Sequence, residues 1–249
     1  MSLPFGLQLY TVRDHMEQDP RATLKAVKAM GYDTVETAGL AGLSAAAFRE
    51  LLDEFGLRAF SMHVGIDALA EDVDQQIETA KTLGADFLVV PWIGGEETSD
   101  RAAWEQYAKE MDVAGEAVRG AGLKLCYHNH AHEFALIGGD TVFDIIFNTA
   151  APENLAAEID VYWVKHAGYD PAAVIQQYTD RCPIVHFKDM TPAEPHTFTE
   201  LGQGVIDWPA MVETCKKAGV QWCVVEQDLC SGDSLESARV SAEFMVTLS

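Results

Sequence analysis

The sequence predicts an α/β protein, a (β/α)8 TIM barrel forming a single domain over residues 1–249. Three observations predict it. Eight strand-like apolar runs recur along the chain. Segments with helical periodicity lie between them. Glycines stand where helix C-caps belong, just ahead of many of the runs. A chain of 249 residues can hold one large barrel or two small domains, and no clear linker or low-complexity segment divides it.

The runs are FGLQLY (5–10), TVETAG (34–39), RAFSMHV (58–64), FLVVPW (87–92), KLCYHNH (124–130), LAAEIDVYW (155–163), PIVHFKDM (183–190) and WCVVEQD (222–228). PRATLKAVKAMG (20–31) and WEQYAKEMDVAGEAVRGAG (104–122) show the helical period. Gly31, Gly56, Gly84, Gly122 and Gly219 are placed as helix ends. A doubly wound open sheet is the competing reading, but it usually carries a Gly-rich fingerprint after its first strand, and LQLYTVRD has none. One long connection, TPAEPHTFTELGQGVIDW (191–208), follows the seventh run, and its length suggests a functional lid.

Composition narrows the function. Hydrophobic residues make up 48% of the chain, enough for a sizeable core, and no apolar run approaches the ~20 residues of a membrane span. MSLPFGLQLYTVRD has no basic leader, so a cytoplasmic protein is expected, with no membrane partner. Seventeen Lys and Arg against 39 Asp and Glu give a net charge of −22, which repels phosphate backbones and argues against nucleic acid. Five cysteines without a C-x-x-C pair fit neither a disulfide framework nor a cysteine zinc site.

Barrel active sites sit at the C-terminal ends of the strands, so the polar residues closing each run matter most. They are Gln8, Glu36, His63 and Trp92 in the first half. The second half offers His128, Asn129 and His130 with Glu133 just beyond, then Asp160 and Trp163, then His186, Lys188 and Asp189, and last Glu226 and Asp228. Charged groups inside a barrel are costly unless paired or bound to a cation. Carboxylates and imidazoles without thiolates suit one divalent ion, Mn²⁺, Mg²⁺, Co²⁺ or Zn²⁺. Such an ion stabilises the enediolate left when a proton leaves the carbon beside a carbonyl. A carboxylate removes that proton, and a second carboxylate or a histidine returns one. These are the parts for isomerisation, epimerisation or β-elimination of a small carbohydrate.

The chain resembles the sugar phosphate isomerase/epimerase family with its xylose isomerase-like barrel. The resemblance rests on GLQLYTVRD (6–14), YHNHAHEF (127–134), EIDVYWVKHAG (158–168), VHFKDM (185–190), LGQGVIDW (201–208) and VVEQD (224–228) taken together. It implies a single divalent ion held by Glu, Asp, His and Glu from strands five to eight. Three of these fall on Asp160, His186 and Glu226. In strand five the expected ligand is Glu133, with His128 the alternative, because the place of the epimerases' strand-ending Glu is taken here by Tyr127 or His128. The family's acid–base pair would then be Glu133 and Glu226. Trp163 stands where epimerases tend to have a substrate-binding His, which weakens any transfer of their specificity.

For the remaining residues two roles stay open. Lys188 shares the inward parity of His186, and either polarises a substrate carbonyl or pairs with a barrel acid. Glu36 is a substrate acceptor or a partner for Lys188. His63, His128 and His130 are expected at the substrate, and Trp92 and Trp163 can stack on a sugar face or simply pack. The expected function is a metal-dependent carbohydrate isomerase or epimerase; the alternative is a lyase or dehydratase acting on a keto-sugar, 3-keto-glycoside or keto-cyclitol. A non-catalytic sugar-binding barrel and a DNA-repair nuclease are the rivals from other classes. Barrels of this kind often associate, so a homo-oligomer is admissible.

Overall fold

A computed structural model describes residues 3–94 and 100–248. Its frame is a closed barrel of eight parallel strands. They are β1 (Phe5–Gln8), β2 (Thr34–Ala38), β3 (Arg58–His63), β4 (Phe87–Val90), β5 (Lys124–His128), β6 (Leu155–Asp160), β7 (Ile184–Phe187) and β8 (Trp222–Val225). Each pairs with its neighbours in sequence, and β8 closes onto β1 with Cys223 beside Phe5. All eight expected strands are present, but every one stops one to three residues short of the expected run. The residues beyond leave the ladder; Lys188, Glu226 and Asp228 are among them, while Glu36, His63, His128, Glu158, Asp160 and His186 lie inside their strands.

The expected helices are also present, including Pro20–Ala29 and Arg101–Gly120. Their starts are capped by side chains: Asp19, Asp72, Asp100, Asp207 and Asp233 each accept a backbone N–H of the first turn. Part of the acidic excess is thus spread over helix N-termini, where the backbone dipole favours it. Gly56, Gly84 and Gly219 occupy left-handed C-caps, and Gly31 and Gly122 follow their caps by one residue with positive φ. Among the described residues no helix is long and apolar enough to cross a membrane. All five cysteines are free thiols, and Cys126, Cys182, Cys215 and Cys223 are buried.

The long connection after β7 is tied down. Phe198–Thr199 pairs antiparallel with Asp189–Met190. The Asp189 carboxylate then accepts from the backbone N–H groups of Gly202 (3.0 Å), Gly204 (3.1 Å) and Ile206 (3.3 Å), and from Trp208 Nε1 (2.8 Å). A Cβ at Gly204 would lie 2.1 Å from Asp189 Oδ1, so only glycine admits this clamp.

The barrel interior holds two materials. Its lower part is an apolar plug of Phe60, Phe87, Val89, Cys126, Ala156, Ile184 and Val224, with Trp222 stacked on Phe60 at 4.4 Å. Two and four residues further along the same strands the inward positions turn polar. Cys126 gives way to His128, Ala156 to Glu158 and Asp160, Ile184 to His186 and Lys188, and Val224 to Glu226 and Asp228. A strand period of two carries each strand from plug to site.

Candidate active site

A cavity of about 480 Å³ opens at the C-terminal ends of the strands, lined by Tyr10, His63, Trp92, His128, His130, Glu226 and Asp228 among others. Beneath it lies a layer of buried groups centred on Glu158. Its Oε1 is 3.0 Å from His128 Nδ1, 3.0 Å from His186 Nε2 and 3.1 Å from His63 Nε2. Glu36 completes this layer: its Oε2 accepts from Gln8 Nε2 at 2.8 Å and from His186 Nε2 at 2.7 Å, and lies 3.2 Å from His63 Nε2. Glu36 Oε1 and Glu158 Oε2 are buried without a hydrogen-bond partner.

The layer above is held by Lys188, whose Nζ sits 2.8 Å from each of Asp160 Oδ2, Glu226 Oε2 and Asp228 Oδ1. Glu226 Oε2 also accepts from His186 Nδ1 at 2.8 Å. Asp160 serves twice, because its Oδ1 caps the helix Val161–His166 through Trp163 N at 2.9 Å. Trp163 and Phe198 lie against Lys188, with ring centroids 5.7 and 5.8 Å from Nζ.

Charge competition is severe in this space, where five buried or near-buried carboxylates share the interior with one lysine and three histidines. Burial works against the ionised forms of Glu36 and Glu226, but nearby cations prevail and hold both well below the usual carboxylate range. For Glu36 these are His63 and His186; for Glu226 they are Lys188 and His186. Burial and Glu36 oppose ionisation of Glu158, yet His186 and His128 bring it to about 2. Asp160 is pushed up to about 6, chiefly by burial, with Lys188 pulling the other way. His63 rises to about 10, because Glu36 and Glu158 outweigh its desolvation. Burial lowers His130 to about 3, helped by Lys188.

The structure brings Glu36, His63, His128, Asp160, His186, Lys188 and Glu226 into this one interior space. Trp92 is half-exposed at the rim and packs on His130 (4.7 Å) and His132 (4.4 Å), while His130 also meets Trp163 at 5.3 Å. Two expectations need correction. Glu36 is no partner of Lys188; it belongs to His186, His63 and Gln8 in the lower layer. Glu133 lies in a 3₁₀ turn, His132–Phe134, and its carboxylate is occupied elsewhere. It accepts from Tyr127 Oη (2.6 Å) and His130 N (2.8 Å) and lies 3.2 Å from His132 Nε2. The inward place at the end of β5 is His128, not Tyr127 or Glu133.

Glu158 is the residue that sequence reasoning missed. Its signal was available: it stands two positions before Asp160 on one strand, so both face inward. Asp228, which closes the eighth run, borders the cavity and pairs with Lys188.

Among the described residues, two sets of side chains, each with ligand atoms within 4.8 Å of one another, could hold a metal ion: His128, Asp160, His186 and Glu226, and His63, His128, Glu158 and His186. Oxygen and imidazole donors with an excess of buried carboxylate fit a divalent cation.

Comparison with known proteins agrees with this architecture. The family described as xylose isomerase-like TIM barrel matches residues 24–248. Inosose dehydratase of Geobacillus kaustophilus is 24% identical over 275 aligned positions, covering 93% of this chain and 87% of that protein. A sugar phosphate isomerase/epimerase from Parabacteroides distasonis superposes with a TM-score of 0.86 at 21% identity, covering 98% of this chain and 93% of that one. The IOLI protein with a bound zinc atom superposes with a TM-score of 0.77 at 15% identity over 100% of this chain and 98% of that chain.

Proposed function

The chain belongs to the xylose isomerase-like TIM barrel family. On that premise we propose that it is a divalent-cation-dependent enzyme that removes a proton beside the carbonyl of a keto-sugar or keto-cyclitol and eliminates a β-oxygen substituent. The observation that carries the reading is the make-up of the cavity wall. Among the described residues, its carboxylates, Glu226 and Asp228, both come from the β8 end, and imidazoles come from β3 and β5. Epimerisation by two carboxylates flanking one carbon has no second carboxylate here, since Glu133 is held by Tyr127, His130 and His132. An ionised carboxylate facing an imidazolium suits elimination.

Asp160, His186, Glu226 and His128 are the residues that would hold the cation. Bound there, it would polarise the substrate carbonyl and stabilise negative charge on its oxygen. Glu226, kept ionised by Lys188 and His186, takes the proton from the carbon beside the carbonyl. The electron pair of that C–H bond becomes the new C=C bond, and the β C–O bond breaks with its pair leaving on oxygen. His63, held protonated by Glu36 and Glu158, gives the departing oxygen a proton. Lys188 keeps Asp160, Glu226 and Asp228 in place. Trp92 and Trp163 offer apolar faces for the sugar ring.

Similarity to a dehydratase over nearly the whole chain supports elimination. The similarity to an isomerase/epimerase structure concerns the fold, and isomerisation is the other outcome of the same proton abstraction. Incubating the Mn²⁺-loaded protein in D₂O with inososes, keto-sugars and 3-keto-glycosides separates them. Release of water or aglycone with an unsaturated ketone is expected. Deuterated epimer or isomer without elimination would replace the lyase reading with the isomerase one. No proton exchange with any substrate of the panel would overturn both.

A further inference from the structure

One carboxylate oxygen of Glu158 meets three imidazole nitrogens at 3.0–3.1 Å. A carboxylate oxygen only accepts, so each ring must turn an N–H toward it. For His128 that nitrogen is Nδ1. Its Nε2 is then left facing Asp160, 3.9 Å from Oδ2. For His186 the nitrogen is Nε2, whose N–H Glu36 Oε2 also accepts at 2.7 Å, and Nδ1, 2.8 Å from Glu226 Oε2, carries the proton that a bound cation would replace. A metal takes an imidazole nitrogen that has given up its proton, and the hydrogen bond at the other nitrogen decides which one that is. Glu36 reaches His186 but shows no contact with His128; Glu158 reaches both.

We propose that Glu158 is a positioning residue whose single oxygen, gripping His63, His128 and His186 together, aims His128 Nε2 and His186 Nδ1 at Asp160 and Glu226. The arrangement has a simple logic. Where a strand-five carboxylate would supply both ligand atom and charge, β5 carries a neutral ring. His128 sits in register with Glu158 across the β5–β6 pair, so the carboxylate stands behind the ring on the adjoining strand. The negative charge is moved out of direct ligation and acts through imidazole, raising its basicity. Glu158 itself is fully buried and lies outside the cavity wall.

This inference rests on the cation reading above, and its test separates the two. Calorimetric titration with Mn²⁺ of the metal-free protein is expected to show one tight site in the wild type. In Glu158→Gln the dissociation constant should rise about 10- to 100-fold, with more than that in Glu158→Ala. Far-UV circular dichroism and melting of the metal-free forms normalise for folded protein, so a merely structural role would leave the affinity per folded molecule unchanged. Should the variants fail to fold, the wild type decides: ¹⁵N-histidine NMR of the Zn²⁺-loaded protein should show His128 with its proton on Nδ1 and His186 with its proton on Nε2. Unchanged Mn²⁺ affinity in Glu158→Gln, or the opposite tautomers, removes the positioning role alone. Absence of any Mn²⁺ or Zn²⁺ uptake by the wild type removes the cation reading and this proposal with it.

Discussion

The lower and upper parts of the barrel interior are built on the same strands, yet they obey different physics. Below, Phe60, Phe87, Val89, Cys126, Ala156, Ile184 and Val224 fill the ring with side chains that need nothing but contact. Above, Glu36, Glu158, Asp160, His186, Lys188 and Glu226 are as deeply buried, but each survives only through named partners. The plug keeps water from the base of the site and lowers the local dielectric. That strengthens every ion pair above it and raises the cost of breaking one. The difference teaches that burial alone does not mark a core residue. A change in the plug should alter stability first, and a change in the polar layer should alter binding and chemistry first.

The sharpest way to break this contrast is in the upper layer. Asp160→Ala or His186→Ala should abolish the bound ion and reduce turnover by at least about 10³-fold while the barrel persists, as elemental analysis, assay and circular dichroism would show. Full metal occupancy in Asp160→Ala would refute the assignment. Glu226→Gln keeps the shape of the side chain but removes the proposed base, and kcat should fall roughly 10²- to 10⁴-fold. The reciprocal change lies in the plug. Phe60→Ala should cost about 3–5 kcal/mol of stability in thermal or denaturant melts, yet metal affinity of the folded fraction should stay close to that of the wild type. Glu133→Gln gives the smallest expected change: a loss of about 1–3 kcal/mol from a weakened buried hydrogen-bond set, with metal content retained. Loss of the ion in that variant would restore Glu133 to the ligand set and collapse the distinction drawn here between it and His128.

How much of this is legible in the sequence depends on how local the signal is. Strand starts are legible to within a residue, because an apolar run after a helix-ending glycine is a local pattern. Strand ends are not: LAAEIDVYW reads as one run, though Asp160 ends the ladder by capping the helix that begins at Val161. Asp160, His186 and Glu226 can be singled out because each closes an apolar strand. Glu158 is harder to see, since one acid among Leu, Ala and Ile resembles a motif flank until its neighbours across β5, β7 and β3 are known. Glu133 misleads for the opposite reason. It stands in a histidine-rich segment a few residues past a strand, and only the 3₁₀ turn shows that it bends back to Tyr127 and His130 instead of facing the site.

The amino-acid sequence by itself determined the barrel class and the order of its elements, and it marked the strand ends as the place of the polar residues. Those follow from periodicity, helix caps and residue type, which act over a few positions. Only the tertiary structure decided which nitrogen of each histidine faces which carboxylate, that Lys188 joins three acids, and that Glu158 rather than Glu133 completes the polar layer. The physical reason is distance along the chain. Glu158 and His63 are 95 residues apart, and His186 and Glu36 are 150 apart. Closure of the barrel brings them within hydrogen-bond reach, and no local pattern encodes that meeting.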